Sequence, residues 1–547
     1  MDGSSQLSPG ETTAEKLARV EARLARVERY LQLETETAGA GEHPGAVPRP
    51  EGELEFAVGQ KWFAIVGILV LALGAAFALS LPFAGLPAFV PPLLGYGVAA
   101  AFFLLAWAAR RTFELISANL RGAAMALLYF ATLRLGFFGD RPALGAGSPA
   151  EATLLVLAVA LNLALAIRWK SPWLTGLALA TGYATALAVG SPWFVLVALT
   201  VLAAKAVAIR RRYGWPAFTL VGIGLTYATY LLWAVGNPLP GRVAAAAPPT
   251  SLGFLLAIAV ILAAGSAGRR DRGAEDAVAN LGALFNCGAA YSLFLFHSLA
   301  SFGPIFAAAQ GAASLVFLAL AVAFWVRERS RVATFLYAMT GYLALSFAII
   351  KASEVPEVFI WLSLQSLVVV ATAIWFQSRF IVVANFLIYA AIVIAYMALA
   401  QVETGISLAF GVVALVTARL LNWQRDRLEL KTELMRNAYL VSALVVLPYA
   451  LYHLVPGAYV GFAWVGVALF YYGMNLIVRN PKYRWMGHAT LLFTAFYLGI
   501  VGINRLGPLH RILSFLFLGT VLLIVSLIFT RARSRNQSAV APSQSKI

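Results

Sequence analysis

Residues 116–139, ISANLRGAAMALLYFATLRLGFFG, are almost wholly apolar and yet carry Arg121 and Arg134. Thirteen residues separate the two arginines, which is about 20 Å along a helix. In a bilayer such a helix directs one arginine to each surface. The long side chains reach the headgroup level while the stretch between them crosses hydrocarbon. Gly122 and Ala126 lie four apart in that stretch, a small-xxx-small face that lets a neighbouring helix approach closely. One membrane-crossing helix with basic ends is therefore the unit from which the rest of the chain is read.

The composition extends this reading to the whole molecule. Of 547 residues, 61% are hydrophobic and 12% charged. Soluble domains carry about 25% charged residues. The mean hydropathy is +0.81. Apolar stretches long enough to cross a hydrocarbon core of about 30 Å recur from Trp62 to Thr530. They do not alternate polar and apolar residues as the strands of a membrane β-barrel do. The expected fold is all-α: a polytopic integral membrane helical bundle of about eighteen transmembrane helices. The first is placed at 62–82, the last at 511–530, and among those between are 172–189, 250–267 and 485–504. The polar first sixty residues predict no cleavable signal peptide.

Charge sets the expected orientation. With the N-terminus inside, the inner loops hold 22 basic residues, from Arg110 and Arg111 through Arg210–Arg212, Arg327, Arg329 and Arg331 to Arg479, Lys482 and Arg484. The outer loops hold 6: Arg134, Arg141, Arg242, Lys351, Arg505 and Arg511. This asymmetry follows the positive-inside rule. It predicts that both termini are cytoplasmic. It also accounts for the formal charge of +17 through orientation and anionic lipid headgroups, so nucleic acid is not an expected partner.

Residues 1–37 read as a cytoplasmic segment. Within it Leu17, Val20, Leu24, Val27 and Leu31 follow a 3-4-3-4 seam. Residues 14–33 are thus expected to form a short coiled coil that self-associates or docks a partner protein, or an amphipathic helix on the membrane surface. Residues 38–60 are a Gly/Pro/Glu-rich linker, 61–531 the transmembrane domain, and 532–547 a disordered tail.

Three stretches carry a family resemblance. LEFAVGQKWFAIVGILVLALGAAFAL (54–79) has a G-x-K-W opening and a glycine-rich first helix. LRGAAMALLYFATLRL (120–135) has a small-residue run leading into a Leu-Tyr pair. WLTGLALATGYATALAVG (173–190) is glycine-rich after a basic turn. Here the chain resembles the bacterial membrane proteins grouped as domain of unknown function 2339. The resemblance implies a multi-helix inner-membrane protein and brings no catalytic residues with it.

Chemistry is sparse. Eleven of the 24 acidic residues precede Lys61, and the others, such as Glu114, Glu151, Glu354 and Glu357, fall near helix ends or in loops. No buried carboxylate of the kind ion-driven carriers use is expected. No nucleotide, zinc or nucleophile motif occurs. The lone Cys287 reads as a small packing residue. No catalytic, metal or cofactor residue is assigned, and no cofactor is expected.

His297, His453 and His510 map to the outer face, and Arg505, His510 and Arg511 make the most basic outer loop, a candidate contact for an anionic headgroup or substrate phosphate. Arg121 and Arg134 join them as candidates, Arg121 above all if it faces the bundle interior. Among membrane-embedded amides, Asn286, Asn385 and Gln365 either bridge helices or line a polar path. Two functions are compatible with this: transport or lipid handling through the bundle, or a non-catalytic scaffold that recruits partners through the N-terminal coiled coil. An enzyme is the least favoured.

Overall fold

The computed structural model describes residues 74–76, 86–111, 114–137, 142–145, 148–237, 247–267, 277–399, 404–423, 433–502 and 506–540, with single residues 68, 70 and 81. Residues 14–33, the expected coiled coil, and most of the helix placed at 62–82 lie outside them. Among the described residues every regular element is helical, and fifteen helices are long and apolar enough to cross a membrane.

The helices pair along the chain as hairpins. They are α1 (Val90–Ala109) with α2 (Glu114–Leu133), α3 (Pro149–Arg168) with α4 (Pro172–Val189), α5 (Pro192–Tyr213) with α6 (Ala217–Val235), and α7 (Thr250–Ser266) with α8 (Ala277–Ser301). Then follow α9 (Phe306–Ala323) with α10 (Arg331–Ala352), α11 (Val358–Trp375) with α12 (Arg379–Leu399), α13 (Thr404–Trp423) with α14 (Glu433–Leu454), and α15 (Val460–Val478) with α16 (Pro481–Tyr497). A last helix, α17 (Pro508–Val540), has 33 residues, about 50 Å at 1.5 Å per residue. It runs on through part of the segment expected to be a disordered tail. The short helices α7 and α16 have 17 residues each, and α16 continues as a π turn through Gly502.

Each even helix packs against the next even helix, from α2 through α4, α6, α8, α10, α12 and α14 to α16. The even helices thus form one continuous row. Because successive helices reverse direction, all of them run the same way. The odd helices lie beside this row, with α5 against α7, α7 against α9 and α11 against α13. The arrangement is a run of stacked helical hairpins, in which each unit contacts chiefly its neighbours. A continuous apolar core runs through it from Leu179 to Met486.

The turns that link odd helices to even ones repeat a local geometry. Lys170, Arg329, Gln377 and Arg479 all have φ between 50° and 53°. Each occupies a left-handed position at the end of a helix, C-cap for Arg329 and Arg479 and C′ for Lys170 and Gln377. Glycine is usual there and another residue is strained. The residue after each is Ser171, Ser330, Ser378 or Asn480. Ser171 accepts from the Leu174 amide, Ser330 from Ala333 and Asn480 from Lys482. These are N-caps, worth about 1 kcal/mol each. A left-handed residue followed by a capping residue ends one helix and starts the next within three positions. The Ser-Pro-Trp echo at 171 and 191 in the sequence is a weaker trace of this device, because Ser191 sits at the opposite end of the bundle.

This end of the molecule also carries the arginine–aromatic pairs Arg110 over Trp107, Arg121 over Trp169, Arg329 over Trp325 and Arg379 over Phe380. It is the basic end below. Gly122 packs as the sequence suggested: a Cβ there would meet Leu174 Cδ2 of α4 at 3.3 Å.

Polar side chains tie the even row together at mid-depth. Thr185 donates to Tyr129 OH between α4 and α2. Tyr183 and Thr226 share a bond of 2.7 Å between α4 and α6. Tyr227 donates to Asn286 Oδ1 between α6 and α8, and Asn286 Nδ2 donates to Tyr337 between α8 and α10. Asn385 Nδ2 donates to Tyr439 between α12 and α14. Among the described residues no such bond joins α10 to α12. The polar groups of α10 turn to α11 instead, where Gln365 Nε2 donates to the Tyr342 carbonyl at 2.8 Å and Tyr342 pairs with Thr372.

Candidate functional site

A large cavity opens at the basic end, between α5, α7 and α9. Its volume is about 1250 Å³, above the usual range of about 300–1,000 Å³ for small-molecule pockets. Local sequence explains the space. Helix α7 finishes in small residues, and Ala263, Ala264 and Ala267 form one wall. Opposite, α9 contributes Leu320 and Ala323 before passing into a π turn, Phe324–Glu328. A π turn inserts an extra residue per turn and is common at functional sites. Here it buries Phe324 against Tyr337, ring centroids 5.1 Å apart, and Trp325 against Phe376 at 6.1 Å.

The mouth of the cleft is cationic. Arg210 and Arg211 come from the last turn of α5, and Arg327 and Arg329 from the π turn and the residue that ends it; Glu328 is the one acidic residue in the described lining. The Arg211 Nη2 donates to the Ala264 carbonyl at 2.9 Å. That bond anchors the guanidinium to the wall of α7, and its other N–H groups bond to no described residue. Arg329 lies over the Trp325 ring at 5.3 Å. Neither Arg327 nor Arg329 forms an ion pair with a described residue. Deeper in, the cleft is apolar, reaching Val260, seven residues before Ala267 and so about 10 Å further along α7. Guanidinium groups at a mouth above apolar walls suit an amphiphile with an anionic head, since each fork can hold phosphate bidentately.

No protein-family model matches this chain, and no curated protein or solved structure does either. The reading of the site therefore rests on its own geometry.

The residues singled out by sequence are distributed elsewhere. Arg121 stacks over Trp169 at 4.9 Å at the basic end and does not line the cleft. Arg134 is buried near the opposite end, donating from Nη2 to the Leu81 carbonyl at 2.8 Å. Arg121 lies about two turns into α2 and Arg134 directly after its last residue, and they share no site. Arg511 turns back to donate to the Leu506 carbonyl, and the His510 ring packs edge-on against Tyr459. A cavity of about 270 Å³ lies near this loop, yet neither His510 nor Arg511 lines it. Arg505 lies outside the described residues. His297 is buried and shares a bond of 3.0 Å with Ser251. No three His, Cys, Asp or Glu side chains gather among the described residues.

Asn286, Asn385 and Gln365 bridge helices and line none of the described cavities. Glu151 stands at a helix end as expected, but it overturns the expectation that no carboxylate is buried. It stands in the capped first turn of α3 but is only 1% exposed, pressed against Gly136. Arg210, Arg211, Arg327 and Arg329 entered the sequence reading only as markers of orientation. The signal that singles them out is their position on both sides of the small-residue end of α7, LAAGSAG (262–268).

Proposed function

We propose that this chain is a multi-pass membrane protein that handles an anionic lipid, holding the headgroup phosphate in the cleft between α5, α7 and α9. The cleft carries the reading: at its mouth stand three arginines with N–H groups that have no partner among the described residues, and the walls below them are apolar. Under this reading the basic end faces the cytoplasm of a bacterial cell, as the positive-inside rule requires. The lipid comes from the cytoplasmic leaflet. The family resemblance noted above agrees with an inner-membrane location. Among the described residues Glu328 is the one carboxylate in the cleft lining, against four arginines.

Charge-assisted hydrogen bonds contribute about 1.5–3 kcal/mol each. The variant R211Q/R327Q/R329Q is therefore expected to reduce the preference for phosphatidylglycerol over phosphatidylcholine by about tenfold or more. Native mass spectrometry of protein purified with both lipids measures it. Equal phosphatidylglycerol retention by the variant and the unsubstituted protein would reject the cleft as the site.

The scaffold reading rests on residues 14–33. A chain lacking residues 1–60 is expected to insert and to retain phosphatidylglycerol like the full chain. Loss of retention on that truncation would favour the scaffold instead.

A further inference from the structure

The cleft has a neighbour on the other side of the π turn. A slot of about 350 Å³ is lined by Trp325, Val326, Arg329, Ile374, Trp375 and Gln377. It lies between the π turn of α9 and the end of α11. Val326 and Arg329 line both the slot and the cleft, so the two spaces flank the same turn. We propose that the anionic lipid reaches the cleft sideways from the membrane through this slot, its phosphate passing along Arg329. The proposal rests on the lipid reading of the cleft.

Four observations converge on this place. The slot faces the surrounding membrane, because Val326 is 60% and Trp375 53% exposed on an apolar perimeter. It lies between the hairpins α9–α10 and α11–α12, whose even helices share no side-chain hydrogen bond among the described residues and which are bonded instead through α10 and α11. Its two polar side chains, Arg329 and Gln377, both occupy left-handed turn positions, with φ of 53° and 50°, so the equivalent residues of adjacent hairpins flank one gap. Finally, the Arg329 guanidinium rests on the Trp325 ring, a weaker partner than a phosphate. An incoming headgroup can therefore take Arg329 off the ring without breaking an ion pair. Tryptophan at both walls suits the interfacial depth at which a headgroup travels.

The test measures occupancy and exchange separately. The protein is reconstituted in nanodiscs with tail-labelled phosphatidylglycerol, and the rate of its loss to unlabelled vesicles is followed. Ile374→Phe and Gln377→Trp each narrow the slot from the α11 wall, at residues that line the slot and not the cleft. Val197→Trp, on the exposed face of α5, serves as the control. Both slot variants are expected to retain phosphatidylglycerol as the unsubstituted protein does while slowing exchange at least about fivefold, with the control within about twofold. Retention with unchanged exchange in both slot variants overturns the lateral path and leaves the cleft intact. An unsubstituted protein that retains no phosphatidylglycerol overturns the cleft reading and the path with it.

Discussion

Leucine in place of Gly341 is expected to destabilise the protein by about 2–3 kcal/mol, the upper part of the range for overpacked cores. Gly341 lies on α10 where it meets α9. A Cβ there would stand 2.8 Å from Leu318 Cγ, 3.0 Å from its Cδ2 and 3.1 Å from its backbone nitrogen. A leucine side chain can rotate away from a single methyl; a backbone nitrogen cannot, so the two helices must separate. In lipid the cost of separation is direct. Helix association there depends on close packing rather than on apolar burial, which the lipid already satisfies. Gly288, where a Cβ would meet nothing within 4 Å, should accept leucine without loss. Unfolding midpoints in mixed detergent micelles compare the two variants. Equal midpoints for G341L and G288L would show that α9 and α10 do not pack as described. Helix α9 leads into the π turn, so G341L is also expected to lower phosphatidylglycerol retention, whereas G288L is not.

The contrast between those glycines shows where a sequence is legible and where it is not. Apolar length and charge place helices well: α4 was expected at 172–189 and spans Pro172–Val189, and α7 was expected at 250–267 and spans Thr250–Ser266. Helix α16 starts at Pro481 instead of 485, because Asn480 caps it and proline fits the first turn, so polar residues belong to the helix. Packing partners are harder to read. Glycine at 341 and at 288 look alike along the chain, and only the neighbouring helix separates them. The hairpin repeat is hidden for a similar reason. Its left-handed turns fall on Lys170, Arg329, Gln377 and Arg479, where no glycine signals the geometry. The π turn leaves no trace in periodicity over five residues. The cleft arginines were visible as charges, but a charge that orients a helix and one that faces a ligand are identical in a sequence. The space left by Ala263, Ala264 and Ala267 distinguishes them.

Asn286 joins more helices than any single residue of the opening stretch, and its removal should be felt accordingly. Its Oδ1 accepts from Tyr227 of α6 at 2.6 Å, and its Nδ2 donates to the Ala259 carbonyl of α7 at 2.9 Å and to Tyr337 of α10 at 2.9 Å. Interhelical hydrogen bonds in membranes contribute about 0.6 kcal/mol on average and up to about 1.7, so three of them set the expected loss for Asn286→Leu at about 2–5 kcal/mol. Much of that loss comes from the partners left behind, since the Tyr227 and Tyr337 hydroxyls would then sit in an apolar core without Asn286. Removing both sides of a hydrogen bond costs less than removing one. The triple variant Y227F/N286L/Y337F is therefore expected to recover part of the stability that N286L loses, in the same micelle unfolding measurement. A triple variant less stable than N286L would mean that the tyrosines contribute through other contacts. The pair also decides between the two roles open to a membrane-embedded amide. A residue that bridges helices changes stability and leaves phosphatidylglycerol preference intact in the folded fraction. A residue on a ligand path does the reverse. The three satisfied bonds place Asn286 with the first group, so N286L should shift the unfolding midpoint while the folded protein keeps its lipid selectivity.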